Sequence, residues 1–437
     1  MFDAAARTLL AWHGMVTQAK ESKPSTVFHE QSAMEYTTHH YNNTLRGIEV
    51  TSIERHEARY RRRVAKRTAK RRAFAEKYDD FERVTSVSAL IKAHWESRRG
   101  VMWKASVVRY DAHFFRNARR ASHALRAGKD VRMGFYNFCV VERGKPRDIH
   151  SLHYAERVIR RAVCINALVP LLSHNLIYDN GASLKGKGTA FHIKRCEEQL
   201  RRYYRLTGSN NGYVLIIDFR KFFDNIQHGP VFDIYDKYIQ DPRLNYLCKS
   251  FVAATGSKSL YIGPEDSQIT AVSYPNNIDH KIKDEWGCEN YSRYMDDSEL
   301  VLNSKEALKK RRDQLFEEFA KKGIIPNPKK TQIIKLSRGF TFLKTQFFLT
   351  DTGRVIKKPC HGSVNVERRK LRAFRRFYDA GEMTLDDIDR SYMSWRGIFK
   401  EKDAHTVLRS VDLLYFDLFA VKPWISKNQR RKENHHV

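Results

Sequence analysis

The six cysteines of this 437-residue chain (Cys139, Cys164, Cys196, Cys248, Cys288 and Cys360) are scattered, and no two form a C-x-x-C pair. That pattern excludes a zinc ribbon and predicts free thiols in a reduced compartment. The eighteen histidines fall into no HExxH-type spacing, so a helix-borne zinc site is excluded as well. No apolar run reaches the ~20 residues that a membrane span requires. The opening stretch, MFDAAARTLLAWHGMVTQAK, has an early acid and no basic n-region, which argues against a secretory signal and for a cytoplasmic chain. Internal repeats and long low-complexity linkers are missing too.

Acid is in short supply. Fifty Asp and Glu face eighty Lys and Arg, a formal net charge of +30. An excess of that size is the electrostatic footprint of a nucleic-acid partner. An anionic membrane surface is the competing partner, but the chain offers no span to anchor in one. With 41% hydrophobic and 12% aromatic residues, the chain can bury a real core and fold as more than one compact unit.

Residues 1 to about 50 carry only weak helical periodicity. Residues 54–72 (ERHEARYRRRVAKRTAKRR) hold ten Lys/Arg against two Glu, and on a helix the bases fall all round with no apolar stripe. Such a run is a solvated helix or arm, and its sign and density favour phosphate contacts by Arg59, Arg61, Arg62, Arg63, Lys66, Arg67, Lys70, Arg71 and Arg72. Tyr60 and Phe74 are candidate stacking surfaces. Bases continue through 97–132. GFYNFCVVERGKPRDIHSL then reads as two strands joined at Glu142-Arg143-Gly144-Lys145. Two helical stretches follow, the second after the glycine-rich Lys185-Gly186-Lys187-Gly188-Thr189, which could bring backbone close to a phosphate. NGYVLIIDF is a short apolar strand ending at Asp218. KEALKKRRDQLFEEFAKKG is an amphipathic helix stopped at Gly323. From about residue 360 the chain is helical and basic.

Chemistry concentrates in Arg293-Tyr294-Met295-Asp296-Asp297-Ser298-Glu299-Leu300-Val301-Leu302. Adjacent carboxylates repel each other, and a strand-turn-strand hairpin presenting such a pair is either a solvated turn or the holder of a hard divalent cation. Asp218 emerges from the end of its apolar strand, either capping the next helix or joining that pair. If the two strands are neighbours in one sheet, three carboxylates converge. Two cations there would activate a primer hydroxyl and steady a departing pyrophosphate.

Around these acids stand Asp218-Phe219-Arg220-Lys221-Phe222-Phe223-Asp224, then Gly263-Pro264-Glu265-Asp266-Ser267-Gln268, Ala271, Tyr274, Asn276 and Asp279-His280. Tyr294-Met295-Asp296-Asp297, Asn327-Pro328-Lys329-Lys330-Thr331 and Gly339-Phe340-Thr341-Phe342-Leu343 complete the order. The series resembles the palm motifs of bacterial reverse transcriptases over residues 140–350, and a thumb more loosely over 360–420. The resemblance implies an α+β right-hand polymerase: fingers, an antiparallel ferredoxin-like palm sheet and a helical thumb. Its expected divisions are a basic RNA-binding extension at 1–85, fingers at 86–212, palm at 213–355 with fingers interleaved, and thumb with basic tail at 356–437.

Carried over residue by residue, the resemblance makes Asp218, Asp296 and Asp297 catalytic and metal-binding, with the Phe219 backbone carbonyl as a further ligand. The implied cofactor is a pair of Mg²⁺ ions, with Mn²⁺ as a substitute. Phe223 matches a steric gate against a ribose 2′-hydroxyl, and Phe222 and Phe223 cannot both face the nucleotide. Gln268 matches a residue beside the incoming nucleotide. Arg147, with Lys145 and Arg143, matches the grip on the triphosphate, and Lys330 the donor to pyrophosphate. In NVERRKLRAFRRFYDAGEMTLDDIDRSYMSWRGIF, Leu371, Phe374 and Tyr378 are expected to pack inward, leaving Arg368, Arg369, Arg372, Arg375 and Arg376 to follow a duplex backbone. The implied partners are an RNA template, a structured non-coding RNA, together with deoxynucleotides and the cDNA product, and no membrane. Gly263-x-x-x-Ser267-Gln268 and Ser394-Trp395-Arg396-Gly397 look most like two groups, the diversity-generating retroelement enzymes and the bacterial defence-associated enzymes. The long basic extension is nearer the defence-associated group. An RNA-templated RNA polymerase and a non-catalytic RNA-binding protein are the alternatives; Phe223 and the intact aspartates speak against them.

Overall fold

The computed structural model describes residues 52–142, 145–399, 402–421 and 423; the stretch 1–50 and His435-His436 lie outside them. Contacts divide the chain into two units, residues 1–72 and 73–437. Helix α1 (Ser52–Tyr78) runs through the basic stretch and past the end of the first unit. Arg59, Arg61, Arg62, Lys66, Lys70 and Arg72 are exposed along it, and Arg61 pairs with Glu57 one turn back at 2.6 Å. The side chains of Tyr60, Arg63, Arg67 and Arg71 lie outside the described residues.

The second unit opens with short helices: α2 (Phe81–Val84), α3 (Val87–Ser97), α4 (Ala105–Asp111) and α5 (Phe114–Arg126). Asp80 and Ser86 begin α2 and α3 by accepting from the backbone N–H of Arg83 and Ala89, the usual work of a short oxygen-bearing N-cap. Strands β1 (Phe135–Glu142) and β2 (Lys145–Leu152) form the expected hairpin, with Glu142 opposite Lys145. Then come α6 (Tyr154–Val163), a π-helical turn, α7 (Val169–Ser173) and α8 (Thr189–Thr207). Phe74 lies flat on His174 at 4.0 Å between ring centres, so its ring is stacked on the protein's own imidazole rather than offered outward.

Strand β3 (Tyr213–Asp218) leads into α9 (Phe222–Asn225), α10 (His228–Tyr238), α11 (Pro242–Ala253), α12 (Glu265–Ser273) and α13 (Asn276–His280). The hairpin β4 (Tyr291–Tyr294) and β5 (Asp297–Leu302), helix α14 (Lys305–Ala320) and strand β6 (Gln332–Lys335) complete a four-stranded antiparallel sheet of order β4-β5-β3-β6. Period-2 alternation decides which core each residue joins. Leu215, Ile217 and Leu300 face one cluster with Leu308, Leu315 and Phe319 of α14. Val214 and Val301 face another with Ile193, Cys196 and Leu200 of α8. A sheet buried on both faces needs a continuous apolar run, which is why Tyr213–Ile217 lacks alternation. Helix α14 ends as expected: Gly323 adopts φ +66 while Ile324 N–H closes on the Phe319 carbonyl at 2.9 Å.

A three-stranded sheet, β7 (Phe340–Phe342), β8 (Thr345–Leu349) and β9 (Val355–Pro359), precedes helices α15 (His361–Asp379), α16 (Leu385–Gly397) and α17 (His405–Phe419). These helices enclose a core of their own, including Leu371, Tyr392, Trp395, Val411 and Tyr415. Helices dominate around antiparallel sheets, the α+β class that the motifs implied.

Candidate active site

Strands β3 and β5 pair antiparallel with Asp218 directly opposite Asp297. Tyr294 also pairs with Asp297, so Met295-Asp296 is a two-residue turn. Such turns need positive φ, and Met295 supplies it at +57°. The Phe219 N–H reaches back to the Asp296 carbonyl at 3.2 Å. Three carboxylates from two strands and one turn therefore meet at one edge of the sheet.

The hairpin is held from below by Arg293, which the sequence reading did not single out. Its guanidinium is buried and makes a bidentate pair with the buried Asp279 of α13, at 2.6 and 2.9 Å. The remaining donors go to the Val272 carbonyl of α12 at 2.7 Å and the Met295 carbonyl at 2.9 Å. Tyr291 donates to Asp279 at 2.7 Å. One side chain thus ties the positive-φ turn to two helices. The available signal was a charged residue just ahead of the paired acids, within the short strand Tyr-Ser-Arg-Tyr.

Around Asp218, Lys330 donates to Oδ1 at 2.5 Å and Asn327 to Oδ2 at 3.0 Å. The Lys330 ammonium stands against the very carboxylate that a cation would use. Burial, with the neighbouring charge of Asp218, pushes Asp296 up from the ordinary carboxylate range. Burial, then Asp296 and Asp218, push Asp297 up to about 7. Two residues along the same face, Glu299 is buried, accepts from Cys196 Sγ and Ser292 Oγ at 3.0 Å each, and is raised to about 7 mainly by burial. Among the described residues no group of three or more His, Cys, Asp or Glu forms a ready metal cage. The oxygen-only donor set nonetheless fits Mg²⁺, which takes one or two protein carboxylates and completes its shell from phosphates and water.

Phe222 is buried against Phe219 at 5.2 Å between ring centres, whereas Phe223 is half-buried and packs against the edge of the same core. Gln268 sits half-buried on α12, its Oε1 accepting from Ser183 at 3.3 Å. Buried Arg160 fixes that helix by pairing with Asp266 at 2.7 Å and Glu156 at 2.7 Å. Arg147 is exposed on β2 and Lys145 begins that strand; the base of the hairpin is set by His150 stacked on Tyr261 at 3.8 Å. Lys187 turns back onto the carbonyls of Tyr178 and Asn180, so it organises its own glycine-rich loop, while Lys185 is exposed. On α15, Arg369, Arg372 and Arg376 are exposed. Arg368 and Arg375 instead bond Ser410 and the Leu418 carbonyl of α17. Leu371 is buried and Phe374 half-buried, but Tyr378 stays 40% exposed.

A protein-family model described as reverse transcriptase (RNA-dependent DNA polymerase) matches residues 145–347, a span that contains all three carboxylates. Over that span, just under half of the chain, the sequence is similar to reverse transcriptases. No curated protein matches the chain. Similar solved structures include apo telomerase from Candida tropicalis truncated from its C-terminal domain, with TM-score 0.41, 14% identity, and 51% of this chain and 54% of that one covered. Telomerase from Candida albicans, in complex with a TWJ fragment of telomeric RNA, gives TM-score 0.42 and 10% identity over 71% of this chain and 66% of that one. A further structure of apo telomerase from Candida tropicalis gives TM-score 0.42 and 12% identity over 66% of this chain and 63% of that one. The chain thus spans little more than half to just under two thirds of these structures.

Removing Asp279 would leave the Arg293 guanidinium buried and unpaired, a change that costs about 3–5 kcal/mol. Asp279→Ala should lower the urea midpoint accordingly, and an unchanged midpoint would refute the clamp. A carboxyl raised from 3.8 to about 7 on folding contributes stability that is whole below the unfolded value and lost as pH rises through the folded one. In metal-free protein, Asp297→Asn should therefore flatten the fall of Tm across that window and melt higher than the native chain above about pH 7.

Proposed function

We propose that this reverse transcriptase domain makes cDNA by two-metal nucleotidyl transfer from a dedicated structured non-coding RNA. The observation that carries the reading is the register of Asp218 opposite Asp297 with Asp296 in the adjoining turn. Asp218, Asp296 and Asp297, with the Phe219 carbonyl, would hold Mg²⁺ or Mn²⁺. Bound there, the metal supplies charge neutralisation and a more acidic attacking hydroxyl. Phosphoryl transfer otherwise needs positioning. In this reading Phe223 excludes a ribose 2′-hydroxyl, Gln268 lies beside the nucleotide, and Arg147 with Lys145 grips the triphosphate. Lys330 Nζ, already charged beside Asp218, is the proton source for pyrophosphate.

The exposed bases of α1 support RNA binding, and Arg369, Arg372 and Arg376 support contact with the product duplex. Among the described residues no helix is long and apolar enough to cross a membrane. The long basic helix favours a bacterial antiphage defence role over a diversity-generating retroelement.

Asp296→Ala should reduce primer extension on an RNA template by more than the ~10–100-fold typical of losing an outer-shell partner; extension at the native rate would overturn the site. Phe223→Ala should raise ribonucleotide incorporation relative to deoxynucleotide by on the order of 10–100-fold, the range over which a packed apolar surface rejects a hydroxyl. Unchanged selectivity in competition assays would remove Phe223 as the gate.

A further inference from the structure

Residues 98–133 carry a concentration of charge that the carboxylate site does not use. Lys104, Arg109, Arg116, Arg119, Arg120 and Lys129 are all exposed, and none has an ion-pair partner among the described residues. The local acids are taken: Asp111 by His94 and Arg98, Asp130 by Arg132, Glu82 by Arg126 and Arg243. Helix α5 buries Ala118, Ser122 and Leu125, which turns Arg116, Arg119 and Arg120 outward together. Like charges at that spacing cost a few tenths of a kcal/mol per pair, a cost that a polyanion would reverse.

Apolar rings accompany the charge. Trp103 is 79% exposed and Phe115 55%, with the Lys104 ammonium 5.5 Å from the Trp103 ring centre. Trp103 beside Lys104, and Phe115 next to Arg116 on α5, pair exposed rings with positive charge, the combination that stacks and holds unpaired bases, since base pairs in a helix already stack on one another. The face is also set apart from the catalytic edge. Helix α5 packs on α3, α3 on α6, and α6 on α12, which bears Gln268.

We propose that Trp103 and the arginines of α5 form a second RNA-docking face, which holds a single-stranded segment of RNA outside the catalytic cleft. This rests on the reading of the chain as an RNA-templated polymerase. The test uses the full chain, with anisotropy of a labelled single-stranded oligouridylate and of an RNA duplex over a salt series. The triple variant R116Q/R119Q/R120Q should bind the oligouridylate at least ~10-fold more weakly, and the slope of log K against log salt should shrink by about 2, from ~0.7 per phosphate contact. Trp103→Ala should weaken oligouridylate binding by roughly 5- to 100-fold, as loss of one stacked base does, and leave the salt slope and duplex binding as they were. Extension of a saturating primer–template should keep its native rate in both variants. Unchanged affinity and slope would overturn the proposal. So would equal losses on the duplex, a parallel fall in extension rate, or lost binding to phosphatidylserine vesicles with RNA binding intact. Failure of the polymerase reading is seen separately, as synthesis that survives Asp296→Ala.

Discussion

The buried pair of Arg293 and Asp279 is the constraint on which the catalytic edge depends. A guanidinium and a carboxylate removed from water are stable only when geometry is good and every donor is used. Here all the stated partners belong to the same small region: a helix end, a second helix carbonyl and the carbonyl of the turn itself. The Met295 carbonyl is the telling one. A non-glycine residue at φ +57 is held there against an intrinsic cost of about 1–2 kcal/mol, and the arginine bonded to its carbonyl makes relaxation expensive. Asp296 therefore sits where the turn puts it, rather than where repulsion from Asp218 and Asp297 would send it.

That repulsion is stored in the resting molecule. Burial and mutual charge raise two of the three carboxyls, while Lys330 and Asn327 occupy both oxygens of the third. Carboxylates crowded this closely are stable only if a proton, an ammonium or a cation takes part of the load. Lys330 is the solvent-facing part of this arrangement, its side chain 60% exposed while that of Asp218 is 8%.

Much of this was legible in the sequence, for identifiable reasons. An apolar strand ending in Asp218, adjacent acids between two strand-like segments and a glycine after an amphipathic helix are local signals, and each element formed where its pattern put it. What was illegible depends on partners distant along the chain. Nothing local marks Asp279 as the mate of Arg293, fourteen residues on. Spacing placed five arginines on one side of α15, but only docking against α17 decides that Arg368 and Arg375 are spent there. Phe74 reads as a free ring until His174, a hundred residues away, covers it.

The distribution of the +30 net charge follows from the same physics. Three carboxylates at the sheet edge would repel a polyanion, so the edge could not itself attract one. At physiological salt the Debye length is about 8 Å, too short for a remote base to offset that repulsion through solvent. Positive charge must then act by contact, at several places on the phosphate backbone, and each contact contributes through release of a counterion. Separate basic faces on α1, α5 and α15, each with little local acid left unpaired, are what such a requirement selects. A single diffuse cloud of lysine would raise the pI equally and hold nothing in register with Asp218.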